Sequence, residues 1–397
     1  MSSKVDVVKQ IALIVESSGA YGRGLLRGVA RFIHSTREWS VHLPIRTISD
    51  EIPDKLALDD CDGVMLRTDN PHVIERVRRL RVPTVALYDS SDLSEFPTVT
   101  SDECAVAQMA FDHFLERGFK KIAYCGVHGA RFSNQRELAF VSIVNQHGLQ
   151  CKVYRACHPE TRSLLISSLQ GAAVCDETEL GAWIRTLSKP VGILASNDIR
   201  GRQVLSACSR NGNIVPDEVA VLGVDNDEEQ CELANPSLSS IIHATEKIGF
   251  EGASMLSRML NGQRIEESVI KHPPIGIHSR HSTDGLAIED RQVERALQFM
   301  RRQVGNGINV ADVLNHVHMS RSTLERKFST LLGRTPKEEI QRQQINHVCY
   351  LLGDTSLTME AIAEMSGIHH PEYLYRLFKK RTGVTPGRYR KTLAQDK

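Results

Sequence analysis

The sequence predicts a two-lobed α/β domain followed by an all-α domain with two helix-turn-helix units, and three observations carry that reading. Between Gln10 and Ile277 short apolar runs of strand type alternate with amphipathic helical segments. Such alternation marks parallel, doubly wound sheets, and a stretch of this length exceeds one of them. Beyond Gly285 the strand patterns stop and helical periodicity alone remains. There, two stretches repeat each other at an offset of fifty residues: Leu324-Glu325-Arg326-Lys327-Phe328 leading to Gly333-Arg334-Thr335-Pro336, and Leu374-Tyr375-Arg376-Leu377-Phe378 leading to Gly383-Val384-Thr385-Pro386. Each follows a helical apolar segment and a short break, as the second helix of a helix-turn-helix does.

The chain of 397 residues is too long for a single compact core, and its 41% hydrophobic and 24% charged residues are ordinary for a globular protein. No apolar run reaches the length of a membrane span, and Met1 to Gln10 lacks the basic start and apolar core of a secretory signal. Nine cysteines, none in a Cys-x-x-Cys pair, suggest reduced and mostly buried thiols and a cytoplasmic location. Of the 49 Lys and Arg and the 48 Asp and Glu, residues 286–397 hold 18 and 12, a net of +6; the rest hold 31 and 36, a net of −5. The basic end is the part suited to a polyanion, although solvated surface charge alone varies this much.

Taken in order, Ile11 to Val15 reads as a buried strand, followed by a polar, Gly-rich turn and a helix around Gly24 to His34. Gly63 to Leu66, Thr84 to Leu87, Lys121 to Cys125, Val191 to Ala195 and Val219 to Val224 read as further strands. The polar segment Ser279 to Gly285 reads as a linker, which sets the domains at 1–285 and 286–397. In the second domain Val293, Leu297 and Met300 share a helix face. Val310 to Val317 supports the first unit (about 310–332), His318-Met319 makes its turn, and Ser320 is a good N-cap for a helix reaching Leu332. On that helix Leu324, Phe328 and Leu331 are expected to pack inward while Ser322, Glu325 and Arg326 face out. Pro336 to Leu352 reads as a joining helix. In the second unit (about 359–382) Met359, Ile362 and Ala363 support, Gly367 permits the turn, and the next helix starts near Pro371. Its Leu374 and Phe378 face in; Glu372 and Arg376 face out.

An exposed Arg in the first half of a recognition helix can donate bidentately to guanine O6 and N7. Arg326 and Arg376 hold that place in the two units. Lys327, Lys379 and Lys380 suit phosphates, which set register without reading sequence. Ser320, Arg321, Ser322, Thr323 and Glu325 open the first helix, and His370, Glu372, Tyr373 and Tyr375 open the second; all are candidate DNA contacts. Glu372 and Arg376 also have the spacing of a surface ion pair worth only about 0.2–0.5 kcal/mol, but recurrence of the Arg in both units favours base reading.

Residues 298–391 resemble the AraC/XylS family of transcription regulators. The signature stands here as Gly367-Ile368, Tyr373, Phe378-Lys379, Gly383-Val384-Thr385-Pro386 and Tyr389-Arg390, with Ile368 where that family usually has Phe. The resemblance implies two helix-turn-helix units, joined by a long helix, in successive major grooves of double-stranded DNA. It also implies contact with RNA polymerase.

The α/β region is similar to the effector domain of LacI-type repressors, and so to a type I periplasmic-binding-protein-like sensor. Carrying pieces are Ser17 to Tyr21, Val99 to Asp102, Gly118 to Ala123, Arg136 to Phe140, Ala195 to Asp198, and Val215 to Asn226. LacI-type repressors carry their reading head before the sensor; here the sensor comes first. Regulators with that order are similar over essentially the full length, including Ser320-Arg321-Ser322 and Ser282-Thr283-Asp284. The resemblance implies a homodimer and a sugar effector, with D-xylose the candidate. Arg136, Asn197 and Asp225, with Asp198 adjacent, would hydrogen-bond hydroxyls and the ring oxygen. Tyr21 would stack on an apolar sugar face, and His243 stands where those proteins place an amide. Asp198, just before a helix, is equally a cap candidate.

Other classes find less support. Gly22-x-Gly24-x-x-x-Gly28 and Arg46 superficially resemble a dinucleotide site, but the spacing departs from the fingerprint. His316-Val317-His318 and His369-His370 lack Cys or carboxylate partners at metal-ligand spacing, so neither metal, cofactor nor enzyme activity is expected. A transport-type sugar receptor would not need the basic helical domain. A DNA binder whose α/β part only dimerises or takes a non-sugar ligand stays open.

Overall fold

The computed structural model describes residues 8–36, 39–42, 60–68, 70–127, 130–155, 177–285, 290–354, 357–368 and 370–395. Arg46 and His369 lie outside these. The chain divides into two compact units, Met1–Leu286 and Ala287–Lys397.

The first unit is built on two six-stranded sheets. β1 (Lys9–Ile14), β2 (Trp39–His42), β3 (Gly63–Leu66), β4 (Thr84–Ala86), β5 (Thr98–Ser101) and β11 (Val269–His272) form one, in the order β11-β5-β4-β3-β1-β2, all parallel. β6 (Ile122–Gly126), β7 (Cys151–Arg155), β8 (Val191–Ala195), β9 (Val219–Val224), β10 (Ser239–Ile242) and β12 (Gly276–His278) form the other, in the order β12-β10-β9-β8-β6-β7, with only β12 antiparallel. Helices α1 (Ala20–Thr36), α2 (Pro71–Leu80) and α8 (Thr245–Leu260) cover the first sheet. Helices α3 (Glu103–Glu116), α4 (Arg131–Gln146), α5 (Glu177–Thr186), α6 (Asp198–Arg210) and α7 (Glu228–Glu232) belong to the second lobe.

Strands with helices on both sides are buried on both faces and become continuously apolar, which is why β3, β6, β8 and β9 were readable. The strands that escaped the sequence reading are polar or at edges: Thr98–Ser101 and Ser239–Ile242 carry hydroxyls, and β11 is half exposed. These same segments lead the chain between the lobes, after β5, after β10 and between β11 and β12. The glycines of α1 are a packing seam. A Cβ on Gly24 would lie 2.0 Å from Thr245 Oγ1 and one on Gly28 2.0 Å from the Glu246 carbonyl; one on Gly249 of α8 would lie 2.0 Å from the Leu25 carbonyl. Only bare backbone lets α1 and α8 approach so closely.

The linker expectation for Ser279 to Gly285 is corrected. Arg280, Ser282 and Thr283 are buried. Ser282 Oγ donates to the Val221 carbonyl at 2.6 Å and accepts from the Ser239 amide at 2.8 Å, and Arg117 Nε donates to the Thr283 carbonyl at 3.0 Å. Polar residues look solvated in a sequence, but these satisfy buried backbone groups.

The second unit is helical: α9 (Arg291–Gln303), α10 (Val310–Val317), α11 (Arg321–Leu332), α12 (Pro336–Asp354), α13 (Met359–Met365), α14 (Pro371–Thr382) and α15 (Pro386–Gln395). It holds two small cores. Val293, Leu297, Met300, Val313, Leu324, Phe328 and Ile340 form one; Val348, Leu352, Ile362, Leu374 and Phe378 form the other, and α12 contributes to both. Ser320 caps α11, Gly333 and Gly383 close α11 and α14 in the left-handed conformation, and each glycine amide donates to a carbonyl four residues back at 3.0 Å. Leu331 is 47% exposed, against expectation. Periodicity gave it the inner face, but at the last turn of α11 it is Leu332 that packs on the core.

Candidate effector site and nucleic-acid interface

A cavity of about 760 Å³ in the first unit is lined by the segments that follow β1, β3, β4, β5, β8 and β9, together with α4. The carboxyl ends of parallel strands are where such folds leave a crevice, because the chain must turn away there.

At its centre Arg136, 2% exposed, donates through Nε and Nη2 to the Glu103 carboxylate at 2.7 and 3.0 Å. Its Nη1 donates to the Ser196 carbonyl and its Nη2 faces His243 Nε2 at 3.2 Å. Burial alone would lower the Arg136 pKa; the Glu103 charge reverses that and raises it. Asp225, at the end of β9, has a φ of 105° and stands 3.5 Å from His243 Nε2. Burial pushes its carboxyl up to about 7, against the opposing pull of Arg136 and Arg67. His243 is buried and its pKa is lowered by burial, then by Arg136 and Arg67, so the ring is neutral.

The cap expected of Asp198 falls to Asn197. Asn197 Oδ1 caps α6 by accepting from the Arg200 amide at 2.9 Å, and the residue lines the cavity. Asp198 instead accepts from Ser240 Oγ at 2.5 Å and the Asp227 amide at 2.7 Å, and burial followed by the Asp225 charge raises its carboxyl well above the usual range. Tyr21 hydrogen-bonds Ser101 Oγ at 2.8 Å, lies beneath the Arg67 guanidinium at 4.5 Å, and meets His243 edge-on at 5.1 Å. One of its faces is therefore taken, and the partly exposed Phe132 is an additional aromatic on the wall.

Tyr21, Arg136, Asn197, Asp198 and Asp225 line the cavity, and His243 is buried behind Arg136 and Asp225. Glu16, Arg67, Glu103 and Phe132 were missed. Arg67 directly follows β3 and Glu16 stands two residues past β1, so listing the residues just past each strand would have found them.

In the second unit α11 and α14 bury matching positions fifty residues apart, Leu324 and Leu374, Phe328 and Phe378, and the helices that follow them open on the buried Pro336 and Pro386. Arg321, Ser322, Glu325 and Arg326 are exposed on one helix, and Glu372, Tyr375, Arg376, Lys379 and Lys380 on the other; His370 precedes α14, also exposed. Arg376 sits 5.5 Å over the Tyr373 ring, with no ion pair to Glu372 among the described residues. Tyr373 is half buried, its hydroxyl accepting from Gln341 Nε2 at 2.7 Å. Thr323 is half buried beside Ser320, 2.8 Å between hydroxyls. Lys327 is held by Asp290 at 2.5 Å and Gln292 at 3.0 Å rather than standing free. Of the histidines weighed for metal, His316 stacks on Phe299 at 4.4 Å and His318 ends α10 in the left-handed conformation.

Residues 111–283 match the periplasmic binding protein-like domain family, and residues 313–392 match a helix-turn-helix domain family. The xylose operon regulatory protein of Escherichia coli (strain K12) is 30% identical over 391 residues, 96% of this chain and 96% of that protein. That of Haemophilus influenzae is 29% identical over 392 residues, 96% of this chain and 98% of its own. A solved structure of a xylose-binding transcription activator aligns with a TM-score of 0.73 at 27% identity, covering 97% of this chain and 98% of that one. Among the described residues no helix is long and apolar enough to cross a membrane. With a two-lobed polar cleft in one unit and a duplicated helix-turn-helix in the other, the chain belongs to the xylose operon regulatory protein family of AraC-type, DNA-binding transcription regulators with a periplasmic-binding-protein-like sensor.

Proposed function

We propose that this regulator takes a neutral pentose, D-xylose, in the cleft and reads its operator through α11 and α14, acting in the cytoplasm as a homodimer that recruits RNA polymerase to a sugar-catabolic operon. The observation that carries the sugar reading is the convergence of Arg136, Asn197 and Asp225 at one cavity. A sugar hydroxyl both donates and accepts, so its site needs carboxylates, amides and a guanidinium held rigidly around it. Arg136 is fixed by Glu103, Asn197 by its cap bond, and Asp225 by its place after β9. The names of the relatives support the choice of xylose and of activation.

Sugar would close the two lobes on each other and bias the placement of paired readers on DNA. A near-complete switch requires about 5.5 kcal/mol of differential affinity between the two states. Calorimetric titration of the full chain with a panel of pentoses tests the reading. D-xylose binds, and Asp225→Asn weakens it at least about tenfold, the worth of a charged hydrogen bond, while affinity for non-specific DNA is kept. An unchanged affinity in the variant removes Asp225 from the site; no heat with D-xylose but heat with another pentose reassigns the effector.

A further inference from the structure

Glu16 and Arg67 stand on the first lobe's side of the cavity, and neither was among the residues assigned to the sugar. They follow neighbouring parallel strands, β1 and β3, and are 6% and 8% exposed. Arg67 Nη1 donates to Glu16 Oε1. The guanidinium is gripped between two aromatic rings, 4.5 Å from that of Tyr21 and 5.6 Å from that of Tyr88. Room for the carboxylate is made by α1: a Cβ on Gly22 would lie 2.8 Å from Glu16 Oε1 and 1.9 Å from the Glu16 carbonyl.

As a device for stability the pair is poorly made. Glu16 Oε2 and Arg67 Nε have no hydrogen-bond partner among the described residues, and buried charges repay their desolvation only when their remaining hydrogen-bonding capacity is met. Both side chains line the cavity, where a guanidinium can donate and a carboxylate beside it can accept. Two neighbouring hydroxyls complement that pair: one oxygen accepts from the guanidinium, and the next hydroxyl donates to the carboxylate. An anionic ligand fits worse. The four cations lining the cavity are each already matched: Arg67 with Glu16, Arg136 with Glu103, Arg23 with Asp227 at 3.1 Å, and Lys271 with Asp89 at 2.8 Å.

We propose that Glu16 and Arg67 form a vicinal-diol subsite that makes the sensor discriminate among neutral sugars by the configuration at two adjacent carbons. The proposal rests on the cleft being a sugar site. Removing one charge alone would strand the other, so the informative variant is the double neutral one, Glu16→Gln with Arg67→Met. It is titrated as full chain with D-xylose, L-arabinose, D-ribose and D-lyxose beside wild type, with melting of the free chain measured alongside. The expected result is a melting temperature close to wild type, a loss of about ten- to hundredfold in affinity for the pentose that wild type binds best, and a narrowed ratio between that pentose and its epimers. Uniform weakening with the ratio preserved shows a merely structural role and overturns the subsite, as does unchanged affinity. Should the double variant not fold, Arg67→Lys, which keeps the ion pair but loses the planar fork, is read by the same ratio. A wild-type chain that binds no neutral sugar in a panel widened to hexoses and disaccharides overturns the sugar reading and the subsite together; binding by wild type with an unaltered ratio in the variant overturns the subsite alone.

Discussion

The two helix-turn-helix units share a fold and differ in what they do with charge. In the first, Arg321 pairs with Glu325 at 3.1 Å, Lys327 with Asp290 at 2.5 Å, and Arg334 with Glu339 at 2.5 Å. Of the cations on α11, only Arg326 faces solvent without an ion-pair partner among the described residues. In the second, Arg376, Lys379, Lys380 and Arg381 are all exposed and none has such a partner. The same offset that equates Leu324 with Leu374 equates Glu339 with Tyr389. Glu339 is fully buried, between Arg334 and Arg342 and bonded to Gln343 at 2.7 Å; Tyr389 instead packs edge-on against Phe378 at 5.5 Å. The apolar positions preserve a shape in both copies, while the polar ones have been put to separate uses: internal bracing in the first, a free cationic surface in the second.

The largest effect expected from this difference is on the brace. Burial would raise the Glu339 carboxyl, but its hydrogen bond with Arg342 and the charges of Arg342 and Arg334 hold it below the usual range. Glu339→Ala, which strands two arginines, costs about 3–5 kcal/mol, read as faster amide exchange in α11 and α12 with α14 less affected; equal acceleration in both halves would show one cooperative unit rather than two. Because the folded pKa is depressed, this contribution is present above the unfolded value and fades as pH falls through the folded one, so acid narrows the gap between variant and wild type.

Next comes the cationic surface. Joint replacement of Lys379, Lys380 and Arg381 by Ala flattens the salt dependence of DNA binding by about three log units per log of salt and weakens affinity about a hundredfold near 0.15 M salt. Replacement of Arg321 and Lys327 changes the slope by less than about one. Equal slopes for the two sets would erase the asymmetry.

Smaller and more local is base reading. Arg376→Ala and Arg326→Ala each lose about 1–3 kcal/mol of discrimination at one position, seen when bound duplexes are selected from a random pool, and the two positions fall in different halves of the site. A pool indistinguishable from wild type would mean that neither arginine reads a base. The smallest effect belongs to Leu331→Ser, which stays within about 0.5 kcal/mol in urea unfolding because the side chain is exposed; a loss of several times that size would return Leu331 to the core.

Much of the architecture was legible beforehand, for reasons that differ by element. β3, β6, β8 and β9 announce themselves because strands covered on both faces must be apolar throughout. The duplicated helices do so because Leu, Phe, Gly, Thr and Pro recur at one spacing. Ser239–Ile242 and Ser282-Thr283 did not, since hydroxyls read as surface while here they satisfy buried backbone. In the cleft, Arg136, Asn197 and Asp225 were reachable through resemblance, whereas Glu16, Arg67 and Glu103 were not. A lone charged residue in a sequence is by default a solvated one.

Local order belongs to the sequence itself: apolar spacing decides which segments become strands or helices, glycines decide where helices stop or touch, and the fifty-residue offset decides that the reader is double. Partnership belongs to the tertiary structure. Residues 16, 67, 103, 136 and 225 meet only because parallel strands end on one side and the chain crosses between the lobes there. Charges carry no periodicity that names their partners, and it took the folded chain to show which arginines are spent on carboxylates and which remain free at the surface.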